Sequence, residues 1–179
     1  EELLKTLKEG GIYQNHFHLP LQSANDEILT QMRRKYLIAD YQRVLNLIDQ
    51  YYPEATIGAD VIVGFPGETE NHFQSTYNFI KDSKLSHLHV FPYSKRKGTT
   101  AALMTNQVSY AEKKSRVHAL IKLGEEKLEK IAGNMVGKKY EVLWESVNKE
   151  GYLTGYTSNF FKVKIKQSAR FLPNTISQV

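Results

Sequence analysis

The sequence predicts an α/β fold, a parallel sheet wrapped by helices, followed by a small antiparallel β-barrel. Three observations carry this. Over the first two thirds, apolar strand-like runs alternate with stretches of helical period. Beyond about residue 134 the period changes to two. The charge changes at the same point: residues 134–179 hold 7 Lys plus Arg against 3 Asp plus Glu, whereas residues 1–133 hold 17 against 16. Two domains follow as an expectation, residues 1–133 and residues 134–179.

Each element has a local reason. His16 to Gln22 reads as an extended run, with Phe17, Leu19 and Leu21 apolar. A helical region follows, marked by Ile28, Leu29 and Met32 and then Tyr41, Val44, Leu45 and Ile48, and Pro53 closes it. Ile57 to Val63 is β-branched and almost wholly apolar, as a strand buried on both faces should be. Gly64-Phe65-Pro66-Gly67 turns the chain, and Thr69 is placed to cap a helix bearing Phe73, Thr76, Tyr77 and Ile80. His87 to Phe91 is a third strand, stopped by Pro92. Strand–helix–strand–helix–strand implies right-handed βα units and a parallel sheet. A long helix is expected from Ser109 to about Ala132, with Val117, Leu120, Ile121, Leu123, Leu128 and Ile131 near one face and Gly133-Asn134 as its stop. In the last segment Tyr140, Val142 and Trp144 alternate with Glu141, Leu143 and Glu145. Phe161, Val163 and Ile165 alternate with Lys162, Lys164 and Lys166.

Both ends read as cut. Three parallel strands leave two open edges, an arrangement proteins avoid. Three antiparallel strands plus Ile176 to Val179 fall short of the roughly five that close an OB-like barrel. The chain has no cysteine, which excludes disulfides, thiolate zinc, a cysteine nucleophile and any cluster held by its own thiolates. No basic-then-apolar leader opens the sequence and no stretch is apolar enough to span a bilayer, so a cytoplasmic protein without a membrane partner is expected. The basic excess in residues 134–179 reads either as a surface for a polyanion or as a merely soluble face.

Ligands of parallel βα sheets sit at the carboxyl ends of the strands. Three polar clusters fall there: Gln22-Ser23, Gly64 to Thr69, and Pro92 to Thr99. Gly64 and Gly67 flank a tight turn without the Gly-Lys-Ser/Thr ending of a phosphate loop. Asp60 is a carboxylate inside an apolar strand; it either meets a ligand or pairs internally with an arginine such as Arg34. His16-x-His18 and His87-x-His89 each put two imidazoles on one strand face. Nothing in the sequence makes those strands neighbours, so polar packing is expected and no metal is assigned.

Four segments have a familiar wording. They are His18-Leu19-Pro20-Leu21-Gln22-Ser23-Ala24-Asn25-Asp26, Met32-Arg33-Arg34-Lys35-Tyr36, Asp60-Val61-Ile62-Val63-Gly64-Phe65-Pro66-Gly67-Glu68-Thr69, and Phe91-Pro92-Tyr93-Ser94-Lys95-Arg96-Lys97-Gly98-Thr99. In order and spacing they resemble the radical S-adenosylmethionine methylthiotransferases. Gly137 to Val163, with Gly155-Tyr156-Thr157-Ser158-Asn159-Phe160, resembles the RNA-binding TRAM domain of that family. The wording around Gly58 to Ile62 and Leu88 to Phe91 is most similar to the branch acting on threonylcarbamoyladenosine next to the tRNA anticodon.

The resemblance implies the C-terminal half of a partial (βα)6 barrel of TIM type, followed by an incomplete TRAM domain. It also implies S-adenosylmethionine and [4Fe-4S] clusters as cofactors, one S-adenosylmethionine giving a deoxyadenosyl radical and another the methyl group. The cluster cysteines would lie in an N-terminal portion of the same polypeptide, so this segment alone has no catalytic residue of its own and should be inactive. By the family pattern, Gln22 and Asp60 face the ribose hydroxyls, with Ser23 beside them. Arg34 meets the methionine carboxylate; Ile62, Gly64 and Phe91 line the adenine slot. Lys95, Arg96 and Lys97 would lie near incoming tRNA, and the row Lys162, Lys164 and Lys166 would track RNA phosphates. Arg33 reads as a solvated helix end. Ala24 stands where the family has glycine, which implies a less open turn. Two alternatives remain: a methylthiotransferase of a ribosomal protein, against which the basic C-terminal segment argues, and a non-catalytic RNA-binding module.

Overall fold

In the computed structural model, residues 1–11 and 13–179 are described. The first sheet has the order β1-β2-β3, all parallel: β1 (His16–His18), β2 (Thr56–Val63) and β3 (Leu85–Pro92). Ile57, Ala59, Val61 and Val63 of β2 are completely buried against the helices. Alternation then turns Gly58, Asp60 and Ile62 to the opposite, concave face. The register sets His18 beside Gly58 and Asp60 beside His89.

Several helices begin at local capping signals. Asn25 caps α2 (Asp26–Gln31) by accepting from the Glu27 and Ile28 N–H groups. The helical stretch expected through Ile48 is broken at Arg33, which adopts φ +57°, and resumes as α3 (Ile38–Tyr51). Thr69 caps α4 (Glu70–Asp82), whose Phe73, Thr76 and Ile80 are buried. Helix α1 (Glu2–Gly10), which lacks a side-chain cap, and the single turn α5 (Thr100–Leu103) carry no strong sequence signal.

Helix α6 (Tyr110–Met135) begins as expected, with Ser109 and Glu112 forming a reciprocal cap, but it runs on through Gly133-Asn134. Gly133 is not left-handed; the left-handed turn falls at Gly137, φ +82°. Its apolar stripe also differs from expectation. Leu120 and Leu123 pack on the sheet, and Gly124 lets Leu88 approach closely, while Ile121 is solvent-facing and Arg116 is buried.

The second sheet is antiparallel in the order β6-β5-β4-β7 and stays open. It comprises β4 (Glu141–Val147), β5 (Tyr152–Thr157), β6 (Lys162–Lys166) and β7 (Ile176–Gln178). Val142, Trp144 and Leu153 form its small core, and Trp144 Nε1 donates to Ser177 Oγ at 2.7 Å. This sheet docks at the amino ends of β1 and β2: Thr56 Oγ1 donates to the Asn159 carbonyl at 2.7 Å, and His16 stacks on Phe160 with centroids 4.7 Å apart. The carboxyl ends, where a ligand belongs, stay clear of it.

Candidate functional site

The rim at the carboxyl ends of β1–β3 is built around Gln22. Its N–H donates to the Asp60 carbonyl at 2.8 Å and its carbonyl accepts from the Ile62 N–H at 2.9 Å, which ties the end of the first run to β2. To do so, Gln22 adopts φ +64°, a left-handed conformation that costs a non-glycine residue about 1 kcal/mol. Such strain concentrates at functional positions. Its side chain is held as well, because Arg34 Nη2 donates to Gln22 Oε1 at 2.7 Å. Gln22→Gly should therefore leave thermal stability unchanged or raised, while removing the amide that Arg34 orients; thermal melts read the first effect and ligand titration the second.

Asp60 does not pair with Arg34. Its Oδ1 faces His18 Nε2 at 3.1 Å and His89 Nδ1 at 3.2 Å, so the two histidine-bearing strands do lie either side of one carboxylate. Both contacts fall on one oxygen, which leaves Oδ2 for a ligand.

Two adjoining cavities open on this rim. One, of about 580 Å³, is lined by Gln22, Asp60, Ile62, Phe91, Tyr93 and Arg96. The other, of about 440 Å³, lies against Arg33, Arg34, Phe65 and Thr99 and shares Ile62 and Tyr93 with the first. Phe91, half exposed, offers a flat apolar wall. Tyr93 escaped the sequence reading as a site residue, although it directly follows the end of β3. It stacks edge-on against Phe65, and its buried hydroxyl has no hydrogen-bond partner among the described residues. A buried orphan hydroxyl is costly, and a polar ligand atom would relieve it.

Other expected residues stay outside these cavities. Ser23 is buried, its hydroxyl 3.3 Å from Thr76 Oγ1, and it clamps α4 to the rim instead of facing a ligand. Gly64 is also structural: a Cβ there would lie 2.1 Å from Lys113 Cγ, and Lys113 crosses it to donate to the Tyr93 carbonyl at 3.1 Å. Lys95 and Lys97 are exposed beside Arg96 in the loop after β3. Lys162, Lys164 and Lys166 share one exposed face of β6, an edge strand, at the far end of the first sheet. Lys164 is partly engaged, by Glu150 at 3.3 Å and the Tyr152 ring at 4.2 Å. Lysines on an edge also discourage sheet-to-sheet association.

The rim loop after β2 is locked from behind by a pair the sequence did not disclose. Glu68 Oε2 accepts from the Gly64 N–H at 2.6 Å and from Arg116 Nη1 at 2.7 Å, and both side chains are buried. Arg116 Nη1 also donates to the Glu68 carbonyl, and the guanidinium lies over the Phe73 ring. Burial pushes the Glu68 carboxyl above its ordinary range, against the pull of the Gly64 N–H and of Arg116.

Comparison with known proteins places the chain among relatives. The Radical SAM superfamily model matches residues 1–80. The chain is 42% identical over 170 residues to the threonylcarbamoyladenosine tRNA methylthiotransferase MtaB of Bacillus subtilis, covering 93% of this chain and 38% of that protein. It is 38% identical over 173 residues to the tRNA-2-methylthio-N(6)-dimethylallyladenosine synthase of Caldicellulosiruptor saccharolyticus, covering 96% of this chain and 37% of that one. The chain thus spans under two fifths of the length of these relatives. Among solved structures, the radical SAM enzyme coproporphyrinogen III oxidase (HemN) of Escherichia coli aligns with a TM-score of 0.56 at 20% identity, over 70% of this chain and 29% of that one. The archaeal Elp3 of Methanocaldococcus infernus aligns with a TM-score of 0.53 at 13% identity, over 88% and 50%. These last two speak for the fold alone. None of the described helices is long and apolar enough to cross a membrane.

Proposed function

We propose, on the premise that the chain belongs to the radical S-adenosylmethionine methylthiotransferase family, that the whole protein methylthiolates tRNA at threonylcarbamoyladenosine beside the anticodon. This segment contributes half of the barrel and an RNA-facing sheet of TRAM type, residues 1–133 and 134–179 in the division proposed from sequence. The observation that carries the reading is the rim itself: Gln22, Arg34, Asp60, Ile62 and Phe91, the motif residues, line two adjoining cavities at the carboxyl end of a parallel sheet.

Four features support S-adenosylmethionine there. Gln22 Oε1 and the unused Asp60 Oδ2 are acceptors for a diol. Arg34 is a guanidinium suited to a carboxylate. Ile62 and Phe91 give an apolar slot for adenine, and the Tyr93 hydroxyl awaits a polar partner. When bound, S-adenosylmethionine supplies the radical and the methyl group; the residues here bind it, orient it and hold the rim closed around it. An iron–sulfur cluster does not fit this segment, which has no thiolate, so its ligands are assigned to sequence outside these 179 residues.

On the RNA side, Lys162 and Lys166 carry the proposed phosphate contact, with Lys164 restrained by Glu150. Replacing all three by Gln in the full-length protein should lower tRNA affinity and flatten its log–log salt slope by about 1–2 units. An unchanged slope in filter binding would make the row an edge-protecting device only. The proposed reaction itself is tested by nucleoside mass spectrometry of tRNA from a host lacking its own enzyme and supplied with the full-length gene. The reading expects 2-methylthio-threonylcarbamoyladenosine. The dimethylallyl nucleoside in its place would move the protein to the other branch, and neither product would overturn the tRNA assignment.

A further inference from the structure

We infer that His18, Asp60 and His89 form a binding site for a borderline divalent cation such as Zn²⁺ on the concave face of the first sheet. The three residues come from three adjacent strands, and His18 Nε2, Asp60 Oδ1 and His89 Nδ1 all lie within 4.8 Å of one another. Two edges of that triangle, 3.1 Å and 3.2 Å, are already close to the roughly 3.3–3.4 Å separating ligands bound at 2.0–2.1 Å around a tetrahedral ion. The third edge closes by a rotamer adjustment of His89, whose side chain is 61% exposed.

The backbone is shaped for this cluster. His18 lies beside Gly58 in the register, and a Cβ on Gly58 would stand only 2.8 Å from His18 Nδ1. Without that Cβ the imidazole lies down over β2, and its far nitrogen reaches Asp60, two residues along the same face. The other histidine pair, His16 and His87, has rings 5.0 Å apart, but the register sets Thr56 beside His16 and Gly58 beside His87, so no carboxylate stands with them. Two imidazoles and one carboxylate select Zn²⁺, Co²⁺ or Ni²⁺ over Mg²⁺ or Ca²⁺. All three groups are partly exposed, so a fourth position remains for water, as in open three-ligand sites.

The test is calorimetric titration of the 179-residue chain with Zn²⁺, paired with Co²⁺ titration followed by visible d–d absorption. Neither needs S-adenosylmethionine or RNA, and the metal takes Asp60 Oδ1 while the proposed function uses Oδ2, so the outcome is read apart from that reading. One equivalent should bind, with tetrahedral Co²⁺ bands. Asp60→Asn and His89→Gln should each weaken Zn²⁺ by more than about tenfold. Gly58→Ala should weaken it too by lifting His18, whereas the double variant His16→Gln, His87→Gln should bind as the wild type does. Circular dichroism checks that each variant keeps its fold; His89 is exposed enough that its replacement leaves the core alone. Absence of saturable binding, or equal binding by wild type and by His89→Gln, would reduce the cluster to a carboxylate hydrogen-bonded by two imidazoles.

Discussion

Arg116→Met should destabilise the chain by about 3–5 kcal/mol, the loss expected when one partner of a buried ion pair is removed and the other stays behind. Glu68 would keep its Gly64 N–H contact but lose the guanidinium, inside a site where both side chains are at most 5% exposed. The deficit should depend on pH. Burial already holds the Glu68 carboxyl above its unfolded value, and losing Arg116 would raise it further. A carboxyl raised on folding takes up its proton first in the native state, so its contribution to stability is greatest below the unfolded pKa. That contribution is lost as pH rises through the folded pKa. Arg116→Met should therefore cost more at neutral pH than in mild acid. Adding Glu68→Gln should recover part of the loss, since an apolar–neutral pair carries no stranded charge. Urea unfolding of the single and double variants at two pH values checks this; a single-variant loss below about 1 kcal/mol would mean that the pair is not what closes the rim loop.

Gly155→Val should break the second sheet at a cost of about 3 kcal/mol or more, the upper range for overpacking. A Cβ at residue 155 would meet the Leu143 carbonyl oxygen at 2.3 Å and Val142 Cγ1 at 2.8 Å, and backbone cannot yield as a side-chain tip does. Gly155 lies opposite Trp144, the only tryptophan, so the damage should appear as a red-shifted emission and lost protection of β4 and β5. Protection of β2, whose apolar residues pack against helices, should persist. Unshifted emission with intact amide protection in β4 would contradict the close approach at Gly155.

Much of this molecule is written locally. Ile57 to Val63, the caps at Thr69 and Ser109, and the alternation of Val142 and Trp144 declare their elements because neighbouring residues alone decide them. The site is legible in part. Gln22, Asp60, Ile62 and Phe91 reach one cavity because strand ends in a parallel sheet must converge. What stayed hidden depends on partners distant in sequence. Nothing local singles out Arg116; its partner Glu68 lies 48 positions away. The hydroxyl of Ser23 looks like a ligand group until Thr76 takes it, 53 positions on. The two histidine pairs appear unrelated until the register brings His18 and His89 to either side of Asp60. The end of α6 differs from the expected stop for a local reason: Gly133 is a permissible helical residue, and the left-handed glycine is Gly137.

The assignment of the strand-end rim to S-adenosylmethionine is tested most directly by equilibrium titration of the full-length, cluster-loaded protein with that cofactor, wild type against Gln22→Ala and Asp60→Ala. Each variant removes a hydrogen-bonding group from the rim, so each should weaken binding by about 1–3 kcal/mol, roughly 5–150-fold, with Asp60→Ala the larger because its group is charged. Wild-type affinity in both variants, with the fold and cluster content intact, would contradict the assignment and take the cofactor away from β1–β3.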